Sequence, residues 1–74
     1  MPEELIRLVF EIPELKHRSI SIFCRLMRAK YQAQAAYYKN TRILYMTVSR
    51  QSQNNVVHHA MAYGFTVVEG GPIH

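Results

Sequence analysis

The chain has no aspartate, one cysteine and three glycines in 74 residues. A single cysteine excludes an internal disulfide framework and suits a reducing compartment. Four of the five glutamates (Glu3, Glu4, Glu11 and Glu14) fall in the first 14 residues. Few carboxylates are left to form an acid–base pair, so no enzymatic activity is expected. Gly70-Gly71 lacks the Lys-Ser/Thr that would make it part of a phosphate loop. Neither Cys-x-x-Cys nor His-x-x-x-His occurs, so neither a metal nor a cofactor is expected. No apolar run approaches the roughly 20 residues of a membrane span. The start, Met-Pro-Glu-Glu, is acidic, unlike the basic start of a signal peptide. With no repeat, low-complexity tract or linker, the expectation is a cytoplasmic single domain over residues 1–74. Its ordered core spans about 4–69, and 70–74 form a flexible tail.

What is present is apolar and basic. Hydrophobic residues make up 49% of the chain, enough to build a core in so short a domain. Nine Lys and Arg against five Glu give a net charge of +4. Between Leu15 and Val68 there is no acid, while Lys16, Arg18, Arg25, Arg28, Lys30, Lys39, Arg42 and Arg50 all lie there. Such a surface suits phosphates or another anionic partner, although no run of like charge makes it a basic tail.

Hydrophobic periodicity divides the chain. Ile6, Leu8, Phe10 and Ile12 share one parity, which predicts a strand over residues 5–12 covered on one face and ended by Pro13. Ile20, Phe23, Cys24 and Met27 then follow helical spacing, widened by Ile22 and Leu26. They predict a helix over about 15–29 that starts at Pro13 or at Ser19. Glu14 near its start and Arg25, Arg28 and Lys30 near its end suit the helix dipole. Residues 31–38 are ambiguous. They either extend this helix to 39 or pair with 42–49 as a hairpin turning at Lys39-Asn40, with Asn40 taking the positive φ. The β-formers of Thr41–Ser49 favour the hairpin. Ser49 or Ser52 caps a second helix carrying Val56, Val57, Ala60, Met61 and Tyr63, and Gly64 stops it. Residues 65–69 form a last strand.

The resulting order, β-α-β-β-α-β, is the ferredoxin-like arrangement, an α+β fold with two helices on one face of a four-stranded antiparallel sheet. The other face stays open and carries Arg7, Val9, Ile43 and Tyr45, with Thr66 and Val68. Apolar side chains on so small a sheet call for a partner, which makes a homodimer the expected state.

These elements resemble the ACT domain, a small-molecule-sensing regulatory module, and most nearly the short regulatory subunit of acetohydroxyacid synthase. The resemblance rests on the strand Leu5–Ile12 with Pro13 after it, Phe23 in the first helix, the strand Leu44–Ser49, the helix Val56–Tyr63 and the closing Phe65–Val68. It implies a dimerising regulatory fold with an effector site at Pro13, Glu14 and His17. Family members usually carry glycine where Glu14 stands, and its bulk and charge argue against a plain amino-acid ligand.

Individual residues add little chemistry. Cys24 lies on the apolar stripe and reads as a structural thiol. His58 and His59 are helical neighbours about 100° apart, so they cannot share one ion. Tyr45 with Arg7 and Arg42 forms the best aromatic–basic cluster, the kind that stacks single-stranded bases on an open sheet. The sequence supports two functional expectations. The first is a non-catalytic regulatory or interaction module, paired through Val9, Ile43 and Tyr45. In it, Arg25, Arg28 and Arg42 meet an anionic effector or a larger protein partner. The second is a small basic single-stranded nucleic-acid-binding protein using the open face.

Overall fold

The computed structural model describes residues 4–70. In chain order the elements are β1 (Leu5–Glu11), α1 (Ser19–Tyr31), β2 (Gln34–Tyr38), β3 (Ile43–Ser49), α2 (Gln53–Ala62) and β4 (Thr66–Glu69). Single turns of 3-10 helix at Glu14–Lys16 and Arg50–Ser52 precede the two helices. The strands pair antiparallel in the order β2-β3-β1-β4, which is the ferredoxin-like topology expected.

One parity of the two central strands builds the core. Ile6, Leu8 and Phe10 of β1 and Leu44, Met46 and Val48 of β3 are buried against Ile20, Phe23 and Met27 of α1 and Val56 and Ala60 of α2. Both helices therefore cover the same side of the sheet. Phe23 is the hub. Its ring meets Phe10 at 6.2 Å, Tyr63 at 5.2 Å and Phe65 at 5.0 Å, all edge-to-face, the geometry aromatic quadrupoles favour.

The structure settles or corrects the ends of the elements. Of the two starts the sequence allows for the first helix, Pro13 and Ser19, it takes Ser19, because residues 14–16 form a separate 3-10 turn. Glu14 is thus not in the first turn of α1 and does not complement its dipole. The helix stops when Gln32 adopts a left-handed backbone (φ 57°), its N–H bonding the Arg28 carbonyl at 3.0 Å. The hairpin turn spans residues 39–42, and its left-handed residue is Arg42 (φ 58°), not Asn40. Ser52 occupies the N-cap position of α2 without a side-chain cap bond. Its hydroxyl instead accepts from Ser49 Oγ at 3.1 Å. Ile22 and Met61, both placed on apolar stripes, are exposed. Gly64, as expected, ends α2 with φ 87°.

The closing strand is held by a contact that periodicity does not reveal. Gln53 is the one buried polar residue among those described, and its Nε2 donates to the Gly70 carbonyl at 2.6 Å. Gly70, assigned by the sequence to the tail, is therefore fixed; residues 71–74 lie outside the described residues. Gly70 has φ 93°, and a Cβ there would lie 2.6 Å from the Arg7 carbonyl oxygen and 2.9 Å from Leu8 Cα. That neighbour is backbone and cannot give way. Gly70→Ala is expected to cost about 2–4 kcal/mol, from left-handed strain plus the clash. Chemical denaturation measures this directly. An unchanged midpoint would mean that the chain does not pass against β1 at this point.

Candidate functional site

The side of the sheet away from the helices is built from the other parity. Arg7 and Val9 of β1 alternate with core residues, as do Ile43, Tyr45 and Thr47 of β3, Ala36 and Tyr38 of β2, and Thr66 and Val68 of β4. Arg7 faces Thr47 in register and Val9 faces Tyr45, while Ala36 faces Tyr45 and Tyr38 faces Ile43. Diagonal neighbours on a twisted sheet lie within reach of long side chains. Here the diagonal links Tyr38, Tyr45 and Arg7 across three strands. The Tyr38 and Tyr45 rings meet edge-to-face at 5.5 Å and 83°. The Arg7 guanidinium carbon lies 5.2 Å from the centre of the Tyr45 ring, a cation–π contact.

This diagonal borders an open groove of about 730 Å³. Arg7 and Tyr45 form one wall, with Tyr38, Lys39 and Thr41 on the hairpin side and Ala36 between them. Alanine opposite Tyr45 leaves the floor of the groove free of bulk. Thr41 Oγ1 donates to the Tyr38 carbonyl at 3.3 Å and ties the turn to the rim. Charge is divided along β1: Arg7 lies toward its start, opposite Thr47, whereas Glu11 lies at its end between Ile43 and Thr66, and Glu69 of β4 faces Val9.

The residues expected on the open face are thus brought together, with one difference. Val9 lies on this face but is only 6% exposed, so little of it is available to a second molecule. Arg42, expected beside Tyr45, is not among the residues of this groove. It lines a second depression of about 530 Å³ with Glu14, His17, Tyr37, Lys39 and Asn40. That depression gathers two of the three residues assigned to an effector site, Glu14 and His17. Pro13, at the head of the 3-10 turn, is exposed outside it. His17 Nδ1 and the Tyr37 hydroxyl are hydrogen-bonded at 3.4 Å. Arg25 and Arg28 lie elsewhere again, on α1, so the three arginines assigned to an anionic partner do not form one cluster.

Sequence reasoning missed Tyr38 and Lys39 as members of the main groove. Their signal lies in the hairpin register, which pairs Tyr38 with Ile43 and so sets it diagonal to Tyr45. Cys24 is half-buried, and burial pushes its thiol pKa up, away from the reactive thiolate. His59 is hydrogen-bonded through Nε2 to the Tyr31 hydroxyl at 3.3 Å, while His58 is exposed. Among the described residues, no group of three His, Cys, Asp or Glu side chains is placed to hold a metal ion. No helix among them is long and apolar enough to cross a membrane.

Comparison with protein-family models, curated proteins and solved structures finds no match to this chain.

Proposed function

We propose that this protein is a non-catalytic binding module whose outer sheet face takes single-stranded nucleic acid. The observation that carries this reading is the Tyr38–Tyr45–Arg7 diagonal beside Lys39. Every base has a π-face, so exposed rings bind single strands without needing a sequence code, at about 1–3 kcal/mol per stacked base. Tyr38 is 57% exposed, which leaves much of its ring free for a base. Arg7 is held against Tyr45 and presents its N–H donors at the groove. Lys39, at the start of the turn, supplies a second cation for the backbone. The strand would follow the diagonal from Tyr38 to Arg7, away from Glu69 on the β4 edge.

Two cations near the rings set the salt dependence. Two phosphate contacts give a slope of about −1.4 in log K against log salt for a single strand. Affinity for a short oligothymidine, followed by fluorescence anisotropy, is expected to fall roughly 25-fold as salt rises tenfold. A flat salt response would remove Arg7 and Lys39 from the contact. An equal affinity for duplex DNA, whose bases offer no free face, would remove Tyr38 and Tyr45 from it.

The homodimeric regulatory module is the second reading. It is favoured by the exposed Leu5 and Val68 on this same face, with Ile43 half-buried between the strands. It calls for a dimer whose mass by light scattering does not change with salt and which Ile43→Glu splits. We rank it second because Val9, a central residue of such an interface, is already covered within one chain.

A further inference from the structure

The two edges of the sheet are not alike. Edge strands present unpaired backbone donors and acceptors, and proteins blunt them with charges, prolines, bulges or short length. The β4 edge is blunted: it is four residues long, its register shifts opposite Val9 and Phe10, and it ends in Glu69. The β2 edge, five residues long, lacks the charge, the proline and the register shift. Gln34–Tyr38 reads Gln-Ala-Ala-Tyr-Tyr, pairs in unbroken register with β3 on one side, and contains no charge and no proline.

Beside this edge, on the helix side, lies a third groove of about 620 Å³. Ala35 forms part of it. Its register partner Met46 is buried, yet Ala35 itself is exposed. The wall is the last two turns of α1, with Cys24, Arg25 and Arg28, and the far end is Gln32 and Gln34. None of the lining residues is acidic.

We infer that the β2 edge takes an extended acidic peptide as an added strand, its backbone pairing with Gln34–Tyr38 and its carboxylates meeting Arg25 and Arg28. Strand addition draws affinity from main-chain hydrogen bonds and specificity from pockets for alternate side chains. Here the small side chains of Ala35 and Ala36 let a strand approach, and the arginines select its charge. Charge also argues against a second copy of this chain. A two-fold β2–β2 pairing sets the two α1 helices side by side on one face, with Arg25 and Arg28 of each toward the other.

The probe is a fluorescein-labelled peptide of alternating Glu and Val, measured by anisotropy against the full chain. Binding is expected at tens to hundreds of micromolar, since one short strand makes few contacts. A peptide alternating Lys and Val, and a Glu–Val peptide with proline at its centre, are each expected to bind at least tenfold more weakly. The double variant R25E/R28E, changed only at exposed positions, is expected to lose at least tenfold. Amide protection at Gln34–Tyr38 in hydrogen exchange is expected to rise with the peptide. Tyr45→Ala, on the opposite face, is expected to leave peptide binding unchanged. The inference is overturned by equal binding of the proline peptide, by equal binding to R25E/R28E, by no binding below about 1 mM, or by amides of Gln34–Tyr38 that are already protected in a dimer without peptide. Displacement of the peptide by oligothymidine would also overturn it, because both would then share one general basic surface.

Discussion

Tyr45→Ala is expected to weaken binding of a single-stranded oligonucleotide by about 10- to 100-fold, the effect of one lost base stack. Tyr45 holds the centre of the diagonal, between the Tyr38 ring at 5.5 Å and the Arg7 guanidinium at 5.2 Å. Its removal takes away one stacking surface and frees the cation from the ring that orients it. Tyr45→Phe keeps the ring and the cation–π contact, so it is expected to bind within about twofold of the parent. Tyr45 is half-buried and outside the core cluster, so the alanine variant is expected to lose only about 1 kcal/mol of stability, its cross-strand contribution. Anisotropy and denaturation on the same samples separate the two effects. A Tyr45→Ala variant that is fully folded and binds like the parent would remove the rings from the site.

Phe23→Ala is expected to abolish the fold. Phe23 is fully buried and contacts three other rings edge-to-face, from β1, from the end of α2 and from the start of β4. Truncating a buried phenylalanine costs about 3–5 kcal/mol through lost transfer energy and the cavity left behind. A domain of this size seldom has more than about 3–5 kcal/mol in total. Circular dichroism at 25 °C is expected to show a largely unfolded chain. The neighbouring Ile22, 62% exposed, gives the contrast: Ile22→Ala is expected to change stability by no more than about 0.5 kcal/mol. A cooperative, parent-like transition for Phe23→Ala would mean that the helices do not meet the sheet through this ring.

Residue patterning made much of this architecture legible because each element obeys one strong rule. The alternation through Ile6, Leu8 and Phe10, the i, i+3, i+7 spacing of Ile20, Phe23 and Met27, and the glycine after α2 each specify an element by burial or backbone geometry. The less legible boundaries lie where residues adopt uncommon backbone angles for their type. Gln32 and Arg42 both take positive φ without being glycine or asparagine, so nothing in their identity announces the end of α1 or the turn. The closing contact of Gln53 on Gly70 joins residues 17 apart, and no local pattern reports it.

The candidate site was half legible. Arg7 and Tyr45 followed from strand parity. Tyr38 and Lys39 needed the hairpin register, and the placement of Arg42 away from Tyr45 needed the conformation of the turn. The pairing of Glu14 and His17 in one depression follows from the 3-10 turn that precedes α1, a choice between two helix starts that the sequence left open.

The most direct test of the central claim is a titration of isotope-labelled protein with an oligothymidine of about eight nucleotides, read as amide chemical-shift changes at low salt. The nucleic-acid reading places the shifts at Arg7, Tyr38, Lys39 and Tyr45 and at their strand neighbours. Shifts confined to α1 around Arg25 and Arg28, or none up to about 1 mM oligonucleotide, would contradict it.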